Sequence, residues 1–304
     1  MTGKTLTAVG SFLILAMAAP AYAQTSGGAA LTLGYGLGEV EGSDFQTSLM
    51  AFDADIANGP LTFDLDLSRA AQGGDDDFDA TLFTGEILPK YWFSPAGGVG
   101  LYFSSTTVDA DGVDSVTANS YGLEGTYRAA GLETSAFIGE TDASDLVGDD
   151  VDITDYGLRV RYDVNTQLSL YGKGVNSDFE AGGDTASAQS YALGATYDFG
   201  NGLTTFGAHQ IATSDEIDSN LHTTSLGVAY NLSAAGRPIL LSGEYARYNS
   251  EVLGGDADGH NITFGATVLL GDAQAKRLPG AGATRNLAKS DRNAVDGLLS
   301  VGGF

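Results

Sequence analysis

The sequence predicts an all-β fold, a transmembrane antiparallel up-and-down β-barrel of about 14 strands, with 16 as the alternative. Three observations predict it: a repeated strand pattern, an export-type N-terminus, and alternating turn and loop segments. The repeat is Tyr-Gly/Ala-Leu-x-x-x-Tyr, found as Tyr121 to Tyr127, Tyr156 to Tyr162 and Tyr191 to Tyr197 at intervals of 35 residues. Large apolar residues fall on alternate positions, as in Tyr156, Leu158, Val160 and Tyr162, while Glu124, Thr126, Arg159, Arg161 and Thr196 fill the other parity. A period of two means a strand with one apolar and one wet face. Leu226, Val228 and Tyr230 repeat the pattern, and Ile262, Phe264 and Val268 close it.

A soluble sandwich also alternates, and the tyrosines separate the two folds. Six residues apart, they stand roughly 20 Å from each other along a strand. That is the form of two aromatic girdles bounding an outward apolar band. At the N-terminus, Lys4, the apolar run Val9 to Ala19 and Ala21-Tyr22-Ala23 have the pattern of a removed secretory signal covering residues 1 to 23. No later apolar run is long enough for a spanning helix, which leaves a closed barrel as the route into a membrane. The chain has no cysteine, so a disulfide scaffold is excluded.

Fourteen candidate strands follow in order: 29–38, 45–56, 61–69, 79–93, 99–108, 117–128, 132–140, 153–163, 167–176, 188–199, 203–212, 222–232, 238–248 and 260–270. One set of connections is tight, including Asn58-Gly59-Pro60, Pro95 to Gly98, Ala129 to Gly131, Asn165-Thr166 and Gly200-Asn201-Gly202. The other set is expected to be longer and acidic, the asymmetry of periplasmic turns and extracellular loops. From Gln24 to Leu270 there are 36 acidic and 8 basic residues, whereas Gly271 to Phe304 has 3 acidic and 5 basic. This shift divides the mature chain into a barrel, 24–270, and a C-terminal tail, 271–304, read as a flexible periplasmic extension. The tail carries Lys276, Arg277, Arg285, Lys289 and Arg292. It is expected to hold a short helix from Arg292 to Leu299, and either to touch peptidoglycan or to enter the acidic lumen as a partial plug.

On these features the chain resembles the Gram-negative outer-membrane porin superfamily, in particular its acidic, glycine-rich alphaproteobacterial type. The resemblance covers residues 24 to 270. Thr263, Gly265, Val268 and Leu270 resemble the terminal-strand signal read by the barrel assembly machinery. General porins have 16 strands and a long third loop folded into the pore, so their constriction residues are not carried over. The resemblance implies a water-filled channel for passive diffusion of small hydrophilic solutes and ions in the cell outer membrane. It also implies outer-membrane lipid and lipopolysaccharide as surroundings and a homotrimer as the candidate assembly. A non-channel barrel, structural protein or adhesin would have the same wall.

Strand parity puts Asp53, Asp55, Asp64, Asp66 and Glu86 on the lumen side as pore-lining acids, and Arg128, Arg159, Arg161 and Lys173 there as pore-lining bases. In a ring of about 14 strands the acidic wall would face the basic one across the pore and select by field rather than by binding. The net charge predicts cation selectivity. Acidic turns lie at Asp75 to Asp77, Asp109 to Asp114, Asp145 to Asp152, Asp215 to Asp218 and Asp256 to Asp258. Asp109 and Asp111, and Asp256 and Asp258, are the candidate ligands for Ca²⁺ or Mg²⁺, although the EF-hand spacing is missing and capping turns account for most such patterns. No other cofactor is expected. The histidines, His209, His222 and His260, form no recognisable catalytic pattern, with only Asp215 and Asp218 near His222, so an enzyme is not expected. A phosphate loop, zinc spacing and a basic aromatic groove for nucleic acid are all missing.

Overall fold

In the computed structural model, the described residues are 25–74, 79–112, 114–144, 151–214, 219–234, 237–252, 255–271, 279–288, 292–294 and 296. The signal-type segment, Asp75 to Asp77, residues 145–150 of the Asp145 to Asp152 turn, Asp215 to Asp218, Lys276, Arg277 and Lys289 lie outside them.

Fourteen strands form one closed antiparallel barrel in which each strand pairs with its neighbours in sequence, and β1 closes on β14. They are β1 Thr25–Val40, β2 Ser43–Asn58, β3 Leu61–Gly74, β4 Ala80–Trp92, β5 Gly97–Ala110, β6 Val116–Ala129 and β7 Leu132–Asp142. The second half is β8 Val151–Asp163, β9 Leu168–Ala181, β10 Asp184–Asp198, β11 Leu203–Ser214, β12 Ser219–Ala234, β13 Arg237–Val252 and β14 Gly255–Gly271. Among the described residues one regular helix, α1, spans Ala283–Ala288. Closure is continuous from Gly28 opposite Gly271 to Val40 opposite Gly259, so each of the fourteen strands has a paired neighbour on both sides.

All fourteen expected strands are present, most of them longer than the apolar pattern indicated. They run on into the acidic segments, and this corrects the expected loop asymmetry. Glu41-Gly42 alone joins β1 to β2, and residues 182–183 alone join β9 to β10. The longest connection at that end is 143–150. A strand extending beyond its apolar band still satisfies its amides by pairing, so polar hairpins replace open loops there. The tight turns follow a local rule. Ala130 and Gly131 both have positive φ, 46° and 84°, the conformation of a two-residue turn whose twist matches the strands it joins.

The large apolar side chains face outward. Leu193 is 71% exposed, Leu226 69% and Phe264 60%. The tyrosines of the repeat bound this band. At one edge Tyr121 Oη donates to Glu140 at 3.0 Å, Tyr35 to Gln46 at 2.7 Å and Tyr191 to Gln189 at 3.0 Å. Each ring therefore lies on the apolar band while its hydroxyl reaches a polar residue. Polar side chains and the few buried aromatics face the lumen. Tyr102, Phe137, Leu88 and Val175 form a small apolar patch there.

Candidate functional site in the lumen

Three successive strands place their acids in one row. Asp53 on β2 pairs in register with Asp66 on β3, and Asp66 with Glu86 on β4; Asp55 and Asp64 form the adjacent pair. Like charges directly opposite one another repel. The row is compatible with folding because cations lie against it, and two of those cations come from the tail. Arg285 donates to Asp53 at 2.8 Å and to Asp66 at 3.4 Å. Arg292 makes a two-pronged contact with Glu86 at 2.7 and 2.8 Å, and donates to Glu124 at 2.5 Å.

Glu124 on β6 is the centre of the cluster. Lys90 lies 3.0 Å from it, Arg159 and Arg292 both bond it, and Thr126 donates to it at 3.1 Å. Lys90 also reaches Asp64 at 3.7 Å. The expected acidic and basic walls are therefore bridged through Glu124 rather than held apart. Of the other basic residues on this face, Arg128 pairs with Glu133 at 2.6 Å and lies 4.0 Å over the Trp92 ring. Arg161 pairs with Asp163 at 2.9 Å beside Tyr171, and Lys173 stands next to Arg159 in register.

The aromatics of this region lie flat because their neighbours are glycines. Tyr102 pairs with Gly122, and Gly122 with Gly139. A Cβ on Gly139 would stand 2.0 Å from the Tyr102 hydroxyl. Phe137 covers Gly157 in the same way. The Tyr102 and Phe137 rings meet edge to face at 5.7 Å, and the Arg292 guanidinium sits 4.5 Å from one centroid and 5.1 Å from the other. Arg292 is fully buried. Burial alone would lower its pKa, but Glu86 and Glu124 more than offset this and hold it above its ordinary value.

The rest of the described tail is also anchored in the lumen. Glu244 on β13 accepts from the Thr284 amide at 2.6 Å, the Thr284 hydroxyl at 2.8 Å and the Gly282 amide at 3.2 Å. Ala281 rests on the wall where Gly34 and Gly265 lie opposite each other, and a Cβ at Gly265 would fall 2.4 Å from its methyl. Asn293 donates to Ser120 at 2.7 Å, and the Ala294 amide to Ser177 at 2.8 Å. Of the two placements open to the tail, its described residues occupy the lumen. The regular helix lies at Ala283–Ala288; of the helix expected from Arg292 to Leu299, residues 292–294 and 296 are described.

The remaining candidates stay apart from this cluster. Asp109 and Asp111 lie at the β5 end, and Asp256 and Asp258 at the start of β14. Asp258 bonds Asn249 and lies 3.9 Å from Arg247. Among the described residues no three Asp, Glu or His side chains gather into a group able to hold a metal. His209 and His222 stack at 6.0 Å, with His209 Nδ1 2.9 Å from Thr224 Oγ1.

The strand pairing is complete by Gly271, so a chain stopped after that residue should still close. It should do so with lower stability, because the acid row loses Arg285 and Arg292. Refolding in detergent, followed by circular dichroism and heat-modifiable migration, checks this. A truncated chain that never forms the compact species would make the tail part of the barrel.

No protein-family model matches the sequence, and no characterised protein matches it closely in sequence. Solved structures do match its fold. An anion-selective porin from Comamonas acidovorans is 14% identical with a TM-score of 0.51, over 80% of this chain and 100% of the porin. A Pseudomonas aeruginosa FadL homologue is 11% identical with a TM-score of 0.50, over 81% and 90% of the two chains. A mutant of the monoaromatic hydrocarbon channel TodX is 11% identical, also at 0.50, over 84% and 93%. At these identities the likeness is one of fold, the closed antiparallel barrel.

Proposed function

We propose that this protein is an outer-membrane channel of Gram-negative, alphaproteobacterial type, through which small hydrophilic solutes and ions diffuse passively when the C-terminal segment leaves the lumen. The observation that carries the reading is the inverted polarity of a closed barrel: apolar side chains cover its outside and charged ones line its inside. A continuous belt of exposed leucine, valine and phenylalanine is suited to lipid rather than to water. The barrel likeness to porins and hydrocarbon channels supports the same reading, and of these a charged lumen suits hydrophilic cargo. The signal-type N-terminus and the terminal-strand pattern support export and delivery by the assembly machinery. Acidic hairpins at the rim would take Ca²⁺ or Mg²⁺ between themselves and lipopolysaccharide phosphates.

The tail residues anchored in the lumen favour a second reading, a barrel that does not conduct and serves as a structural or adhesive protein. Planar-bilayer recording separates the two. With the barrel carrying 36 acidic against 8 basic residues, the open channel should prefer cations in dilute KCl. The preference should fade as the Debye length falls from ~30 Å at 0.01 M to ~3 Å at 1 M. Anion preference in dilute salt would overturn cation selectivity, and the lack of any conductance in both the full-length and tail-truncated proteins would favour the second reading.

A further inference from the structure

The surroundings of Arg292 have the composition of a guanidinium receptor. Glu86 presents both carboxylate oxygens to the fork at 2.7 and 2.8 Å, Glu124 adds a third acceptor, and Tyr102 and Phe137 offer ring faces to the flat cation. A paired carboxylate reads the planar fork of a guanidinium better than the point charge of an ammonium, and the aromatic faces add to that preference. The division of partners is also telling. Besides Arg292, Glu124 is paired with Lys90 and Arg159, whereas among the described residues Arg292 is the one cation paired with Glu86. A second observation is independent of the acids. The hydroxyl of Tyr102, a fully buried residue packed against Arg292, has no hydrogen-bond partner among the described residues. The cage thus retains polar capacity that the arginine side chain does not use.

We infer that the cage of Glu86, Glu124, Tyr102 and Phe137 is a binding subsite for guanidinium-bearing cations, and that Arg292 is its resident, intramolecular ligand. The inference deepens the channel reading, on which it rests for the route by which such a cation reaches the lumen. Binding itself does not depend on that route. The cage belongs to the barrel wall, on β4, β5, β6 and β7, while its occupant belongs to the tail. A solute of the same chemistry therefore competes with the tail for one place, and the site that admits the cation is the site that anchors the tail in the lumen.

The test uses the full-length chain refolded in detergent, with Arg292→Ala to vacate the cage and ethylguanidinium as the probe. Ethylammonium and tetramethylammonium serve as controls at matched ionic strength. Calorimetric titration should show saturable ethylguanidinium binding to Arg292→Ala, about tenfold tighter than ethylammonium, and little binding to the unmodified protein. Adding Glu86→Gln should weaken it by a further factor of about ten. Binding that does not distinguish the probe from ethylammonium, or that survives Glu86→Gln undiminished, would overturn the inference in favour of a generally acidic lumen. If Arg292→Ala does not refold, hydrogen exchange on the unmodified protein decides. Ethylguanidinium, and not ethylammonium, should accelerate exchange at the Ala294 amide, which is bonded to Ser177; equal acceleration by both, or none, overturns the inference. Conductance recorded in parallel keeps the two claims apart. Binding without conductance would sink the channel reading alone, and conductance without selective binding would sink the cage alone.

Discussion

Replacing Glu124 by alanine should lower the unfolding free energy of the barrel by about 3–5 kcal/mol, because it leaves buried cations without their shared partner. The side chain is fully buried and holds Lys90, Arg159 and Arg292 together. Glu124→Gln should cost nearly as much, since it keeps the volume and a hydrogen bond to Thr126 but removes the charge. Comparing the two variants by urea unfolding in detergent separates charge from packing. Midpoints unchanged in both would mean that the three cations find other partners, and that the cluster contributes little to stability. Isolated surface pairs such as Arg247 with Asp258 make a useful contrast, because exposed pairs are worth about 0–1 kcal/mol.

The second large effect is on the opposite face of the same wall. Leu158 is 50% exposed on the outer face, between the tyrosines of its repeat. Leu158→Arg should cost roughly 2–4 kcal/mol at the middle of a bilayer and reduce assembly into membranes. The double variant Arg159→Ser, Arg161→Ser should leave the heat-resistant barrel intact while altering conductance. Glu124 still has Lys90 and Arg292 in that variant, and the lost Arg161 to Asp163 pair is partly exposed. The reverse pattern, tolerance of Leu158→Arg with loss of folding in the double variant, would falsify the assignment of inside and outside.

The wall was legible because its information is local. Tyr156, Leu158, Val160 and Tyr162 alternate with Arg159 and Arg161 within one strand, so period, face and ends can be read without knowing any neighbour. The strand ends were less legible, because Asp109 and Asp258 lie in strands through backbone pairing, which leaves no apolar trace. Tyr102 was hidden for another reason. It occupies the wet parity between Leu101 and Phe103, and only register brings Gly122 and Gly139 beneath it. Glu124 was placed on the wet face, but its partners come from β4, β8 and the tail, positions far from it in the chain. The tail lacked any periodic apolar face, so its placement rests on Arg285 and Arg292 meeting acids more than 160 residues away in sequence. The surplus of acids along β2 to β4, against a basic tail, was the one available sign.

The tail also changes the mechanics of the ring. Through its backbone hydrogen bonds each strand of the barrel is joined only to its two neighbours, and a thin closed wall of that kind resists stretching far better than it resists being squashed into an ellipse. The tail reaches β13 at Glu244, β2 and β3 at Asp53 and Asp66, β4 at Glu86, β6 at Ser120 and Glu124, and β9 at Ser177. It thus acts like spokes in a wheel, fixing the distances between parts of the rim that the hydrogen-bonded hoop leaves free. Since those attachments draw on opposite sides of the hoop, the full set of spokes is in place only when the rim is closed, and docking of the described tail residues is expected as the last step of folding and the first to be undone.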